Sequence, residues 1–199
     1  MNNKITGLVW LIIIIGVILL YFWSLYNQFV TIKTRIKASI QEIGNQLKRQ
    51  ANLIPNLVAS VKGYMKHEKT IFTELTEARK AVMKAVDSGN TQKMIDVGTR
   101  LQNALAPIRV VFESTPQLQA AGPTTQLMEE LRDTADKVMY ARRTLIDLTA
   151  DYNIKIIRFP SNIVAKVFSF KEESGLKMPA EGESLEVKEG ETKTPKVEL

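Results

Sequence analysis

The sequence predicts an all-α protein in which an N-terminal transmembrane helix continues into an antiparallel four-helix bundle, followed by a disordered C-terminal tail. Three observations predict it. Residues 7–26, GLVWLIIIIGVILLYFWSLY, carry no charged side chain. At ~1.5 Å per residue such a helix spans a hydrocarbon core ~30 Å thick. From Asn27 to Ile156 apolar residues recur at steps of three and four, in four blocks separated by turn chemistry. Residues 171–199 lack aromatic residues and are rich in Glu, Lys, Pro and Gly, so they bury too little apolar surface to offset chain entropy.

Residues 1–6 are a short segment with Lys4 as its one basic side chain. The apolar run ends in Tyr21, Phe22, Trp23 and Tyr26, an interfacial aromatic belt. A cleaved signal peptide fits less well, since its apolar region is ~7–15 residues and is followed by a small-residue site. Lys33, Arg35 and Lys37 just beyond the run outnumber Lys4 before it. The positive-inside tendency then places the N-terminus outside and the bundle in the cytoplasm, as a single-pass protein of the cell membrane.

The bundle is predicted over residues 27–158. Its first helix carries Phe29, Ile32, Ile36, Ile40, Ile43 and Leu47, with Gly44 tolerated inside it. Asn52 and Pro55 read as the cap and first turn of a second helix; a kink within one long helix is the alternative. That second block runs through Leu57, Val61, Met65, Ile71, Leu75, Val82 and Val86, and Asp87-Ser88-Gly89-Asn90 ends it. A third helix extends from Thr91 to Phe112, with Pro107 bending it. Thr115-Pro116 and Ala121-Gly122-Pro123 bound a loop. The fourth helix starts near Thr124, carries Leu127, Leu131, Val138, Leu145, Tyr152 and Ile156, and stops before Phe159-Pro160.

Residues 159–170 form a short amphipathic segment containing Ile163, Val164, Val167 and Phe168. Four helices joined by short connections run alternately away from and towards the membrane. The end of the fourth therefore returns to the bilayer, gathering Lys33, Arg35, Lys37, Lys155, Arg158, Lys166 and Lys171 at one end. Two readings of 159–170 follow: an interfacial helix beside cations that contact lipid headgroups or a partner, or a cap on the bundle core.

The formal charge is +6, and the tail is net negative, with five lysines against eight glutamates over residues 171–199. A basic domain beside a bilayer points to anionic lipid. Few aromatic residues outside the apolar run and no recognisable motif argue against nucleic acid. The absence of cysteine excludes disulfides, thiolate chemistry, cysteine-ligated zinc and prenyl anchors. His67-Glu68 opens a zincin-like string, but the second histidine such a site needs four residues on is Ile71. No catalytic residue, cofactor site or metal site is predicted. The basic pairs Lys48-Arg49 and Arg142-Arg143 read either as docking points for an acidic partner or as ordinary charge pairing along helices.

Several strings together resemble one family. They are Gln46-Leu47-Lys48-Arg49, Asn52-Leu53-Ile54-Pro55-Asn56-Leu57-Val58, Val61-Lys62-Gly63-Tyr64, His67-Glu68, Glu129-Glu130-Leu131, Ala141-Arg142-Arg143, Asp151-Tyr152-Asn153 and Phe159-Pro160-Ser161-Asn162. In this order behind an apolar run, the chain resembles the LemA family over roughly residues 5–171. It departs from the family pattern at Ser39-Ile40, Gln50, Asn52 and Thr144-Leu145. The resemblance implies a membrane-anchored antiparallel helical bundle of bacteria with no established catalytic activity. It also singles out Lys48, Arg49, Asn52, Pro55, Asn56, Gly63, Tyr64, Arg142, Arg143, Tyr152, Asn153 and Pro160 as family-motif positions with structural roles. Asn52 and Asn56 are expected at helix ends, Gly63 at a close helix approach and Tyr64 in a mostly apolar site, facing either another helix or a second copy.

The expected function is therefore non-catalytic: a scaffold or adaptor at the inner membrane surface. Its partners are membrane lipids, an unidentified protein and, in one reading, a second copy of itself. The alternative is a regulatory subunit that contacts a membrane protease, transporter or sensor.

Overall fold

The computed structural model describes residues 2–65 and 69–176. Among these residues the regular elements are all helical: α1 (Asn2–Val61), α2 (Lys69–Ser88), α3 (Thr91–Ser114), α4 (Pro116–Ala120), α5 (Gly122–Ile157) and α6 (Ser161–Val167). His67 and its neighbours, with residues 177–199 of the expected tail, lie outside the described residues.

α1 changes character along its 60 residues. Its early part is long and apolar enough to cross a membrane, and Leu8, Trp10, Leu19, Leu20 and Trp23 stand exposed on it. From Leu25 onward one face is buried: Leu25, Phe29, Ile36, Ile43, Leu47, Ile54, Leu57 and Val61. The change occurs without a break in the helix, so the apolar run and the domain share one rigid element.

The expected break at Asn52 is absent. Asn52 and Pro55 are interior to α1 and exposed, and the second helix starts at Lys69 instead. The buried stripe explains this, because Leu47, Ala51, Ile54, Leu57 and Val61 keep the helical period straight through Pro55. Proline at 55 has no N–H to give the carbonyl of Ala51, four residues back. The Arg79 guanidinium reaches across from α2 and donates to that carbonyl at 2.9 Å. A neighbouring helix thus supplies the hydrogen bond that the proline removed.

α2, α3 and α5 each bury one stripe against α1 or each other: Leu75, Ala78 and Val82; Met94, Leu101, Leu105 and Ile108; Leu131, Leu145 and Tyr152. At the α2–α3 turn Gly89 adopts φ +65°, the left-handed region that favours glycine, and the Asn90 side chain caps α3 by accepting from Lys93 N. α5 lies along α1, with Gln28 beside Lys155 and Arg49 beside Glu130. α2 and α3 pair with each other, tied by Arg100 to Glu74, and both touch α1. α3 comes close to α1 at Gly98, where any Cβ would stand 3.0 Å from Leu47 Cδ2. Gly63, expected to serve such an approach, is exposed in the turn after α1, where an added Cβ would meet nothing within 4 Å among the described residues.

Candidate functional site

The domain's most distinctive side-chain cluster is where α5 and α6 return to α1. Phe29 and Tyr152 are fully buried and meet edge to face, with ring centroids 5.8 Å apart. Phe170 stacks on Phe29 at 4.9 Å, and Tyr26 packs on Phe168 at 4.7 Å and Phe170 at 5.7 Å. The chain after α5 is thereby held against α1 just past the apolar run. Aromatic pairs of this geometry contribute ~0.5–1.5 kcal/mol each beyond the area they bury.

The helical segment after Pro160 packs one side on the core and leaves the other exposed. Ser161, Val164 and Ala165 are buried and cap the core, while Ile163, Val167 and Phe168 are exposed. Phe159, at 75% exposure, and Ile157, at 69%, extend that apolar rim. Ser161 Oγ lies within 2.7 Å of the Lys155 carbonyl and 2.9 Å of the Arg158 carbonyl, and Asn162 N donates to the latter. The end of α5 is thus closed by its own successor.

Residues 171–176, expected to begin the disordered tail, are instead held. Asn153 grips the backbone of Glu173 from both sides: its Nδ2 donates to Glu173 O and its Oδ1 accepts from Glu173 N, each at 3.0 Å. The Glu173 carboxylate pairs with Lys33 Nζ at 2.9 Å, and Leu176 packs against the core. That pairing holds the Lys33 ammonium above its ordinary pKa of 10.5, the hydrogen bond being the larger cause. Burial pushes the Tyr152 phenol above its ordinary 10.0, and its hydroxyl has no hydrogen-bond partner among the described residues.

The cations expected at this end divide. Lys33 is engaged by Glu173; Lys155 donates to Gln28 Oε1 at 2.9 Å. Lys155 and Arg158 line one cavity together with Tyr21 and Leu25. Arg35 and Lys37 are exposed on α1, Lys166 on the last turn of α6, and Lys171 just after it.

At the opposite end of the domain the motif positions face solvent. Lys48, Arg49, Asn52, Pro55 and Asn56 are exposed along one side of α1, and Tyr64 is 52% exposed beyond it. The expected helix-end roles of Asn52 and Asn56, and the apolar site of Tyr64, are therefore corrected. The reason is the same uninterrupted helix: Asn52 and Asn56 fall a turn apart opposite the buried stripe. Arg49 pairs with Glu130. Arg142 lines a cleft between α3 and α5, Arg143 is exposed on α5, and Pro160 precedes α6. Arg79 was not singled out from the sequence; the proline that frees a carbonyl was its signal.

A protein-family model, the LemA family, matches residues 39–197. The chain belongs to the LemA family. The match begins beyond the apolar run, so it rests on the helical domain. This LemA-family chain is 24% identical over 169 residues to magnetosome protein MamQ of Magnetospirillum gryphiswaldense, covering 73% of this chain and 62% of that protein. It is 27% identical over 169 residues to magnetosome proteins MamQ 1 and MamQ 2 of Paramagnetospirillum magneticum, with the same coverage. The chain thus spans less than two thirds of the length of these relatives.

Proposed function

We propose that this LemA-family protein is a non-catalytic scaffold or adaptor, held by a single span in the cell membrane with its domain on the cytoplasmic side. In this reading α1, α2, α3 and α5 form an antiparallel four-helix bundle. The contacts of Arg49 with Glu130 and Gln28 with Lys155 support opposite directions for α1 and α5, and those of Arg79 with Ala51 and Arg100 with Glu74 support the rest.

The observation that carries the reading is the continuity of α1. One helix is both the membrane-crossing candidate and the central strut of the domain. Beyond Tyr26 it extends ~50 Å, and its far end carries the exposed positions Lys48, Arg49, Asn52, Pro55 and Asn56. Such a strut presents that polar face at a fixed distance from the bilayer, which suits a docking surface for a protein partner. The near end, with its apolar rim and its cations, rests on the lipid surface.

A photo-crosslinking side chain placed at Asn56 and, separately, at Phe159 tests both ends in native membranes. The reading predicts a discrete protein adduct from the first and lipid adducts from the second. Lipid adducts from Asn56, or the same protein adduct from both positions, would contradict it.

A further inference from the structure

One hollow at the near end has the composition of a phospholipid seat. A cavity of about 430 Å³ is lined by Tyr21, Leu25, Asp151, Ile154, Lys155, Arg158, Phe159, Pro160 and Ser161. Tyr21 and Leu25 belong to the last two turns of the apolar run, which sets the depth of the hollow at the edge of the hydrocarbon. The wall opposite comes from the α5–α6 turn, so the domain reaches down beside α1 to that depth. Ile154 is 50% exposed and Phe159 is 75% exposed, an arrangement costly in water and favourable against acyl chains.

The polar groups complement one ligand chemistry. Arg158 stands at the C-cap of α5, and its guanidinium matches a phosphate diester. Lys155 uses one of its three N–H donors on Gln28 and keeps two. The partial negative charge that a helix C-terminus would turn towards a phosphate is blunted, since the Lys155 and Arg158 carbonyls are covered by Ser161 Oγ and Asn162 N. Asp151 leaves the hollow with a net charge of one positive unit, and its carboxylate can accept from a headgroup hydroxyl.

We infer that this hollow seats an anionic phospholipid with a hydroxyl-bearing headgroup, of the phosphatidylglycerol kind. The phosphate lies on Arg158 and Lys155, the headgroup hydroxyl on Asp151, and an acyl chain follows Tyr21 and Leu25 along α1. The inference rests on the reading of the near end as lying at the bilayer surface, and it adds a defined site and a lipid class.

The test is retention of lipid by the purified full-length protein, offered phosphatidylglycerol, phosphatidylethanolamine and phosphatidylcholine in equal amounts and weighed by native mass spectrometry. Phosphatidylglycerol is expected to be retained over the other two. Each of Lys155→Gln and Arg158→Gln should lower that preference roughly fivefold, and Lys80→Gln, on α2 where Lys80 pairs with Glu77, should leave it unchanged. Equal retention of all three lipids, or undiminished preference in the Lys155→Gln/Arg158→Gln double variant, overturns the seat. A second arm separates the seat from the reading beneath it. In a Trp10→Phe/Trp23→Phe background, the indole introduced by Phe159→Trp should be quenched by lipids brominated high on the acyl chain. Absence of quenching overturns the depth and the seat with it; quenching without lipid preference overturns the seat alone.

Discussion

The two ends of the domain solve the same problem differently. Near the apolar run, α1 is closed off by aromatic rings, with Phe29 and Tyr152 fully buried and Phe170 stacked over them, while isoleucine and phenylalanine are left on the outside. At the far end the core is aliphatic, through Ile54, Leu57, Val61 and Leu75, and the exposed side of α1 is polar. Burial of apolar surface is the driving term at both ends. What differs is the outer face: Ile157, Phe159 and Phe168 stand exposed at one end, Lys48, Arg49, Asn52 and Asn56 at the other. On the proposed reading, the rim of Ile157, Phe159, Val167 and Phe168 beside the apolar run is a lipid-facing surface rather than poor packing.

The largest expected effect breaks the near end. Phe29→Ala removes the ring that both Tyr152 and Phe170 pack against, and should destabilise the domain by about 3–5 kcal/mol in denaturant titration of the detergent-solubilised protein. A loss under 1 kcal/mol would mean that the aromatic cluster does not close this end.

At the far end the test is the hydrogen bond that spans two helices. Arg79→Ala strips the Ala51 carbonyl of its donor and should cost about 1–3 kcal/mol. Pro55→Ala restores the N–H within α1. In that background Arg79→Ala should cost little, and a double-mutant cycle measures the difference. Equal cost in both backgrounds would show that Arg79 acts in some other way.

A smaller effect of opposite sign is expected at Tyr152. Its buried hydroxyl lacks a partner among the described residues, so Tyr152→Phe should raise stability by up to about 1 kcal/mol. The pH dependence follows in sign. The phenol ionises near 10.0 when unfolded and higher when folded, so the unfolded state loses its proton first and stability falls as pH rises above 10.0. The Lys33 ammonium, also raised, contributes stability that is present below 10.5 and lost as pH rises through its folded value. Thermal melts between pH 9 and 11 should therefore show a decline that Tyr152→Phe makes shallower. The smallest effect belongs to Arg49, whose pairing with Glu130 is at the surface. Arg49→Gln should leave the melting temperature unchanged and is the natural probe for partner binding at the far end.

Much of this architecture is legible in the residues. The period of Phe29, Ile36, Ile43 and Leu47 locates the inner face of α1, and the Asp87–Asn90 turn and the start of α3 follow from local chemistry. Asn52-Leu53-Ile54-Pro55 misleads because cap and proline signals are local, whereas the rescue of the Ala51 carbonyl comes from Arg79, 28 residues away. Gly63 misleads in the same way: a glycine permits close approach, but Gly98 is the one that Leu47 meets. Of the seven cations that the helix count groups at one end, Lys155 and Arg158 share a cavity with Tyr21 and Leu25 of the apolar run. Which of them pair, as Lys33 does with Glu173, depends on a strap whose composition resembles a solvated tail.

The central claim is that α1 is one rigid helix across the boundary between the apolar run and the domain. The chain has no cysteine, so spin labels can be placed cleanly through Ile15→Cys and Gln41→Cys, both exposed on α1. Double electron–electron resonance on the protein in liposomes should give a single narrow distribution centred near ~39 Å, the length of 26 helical residues. A broad distribution, or one centred many ångströms shorter, would place a hinge near Tyr26 and reduce the span to a flexible tether.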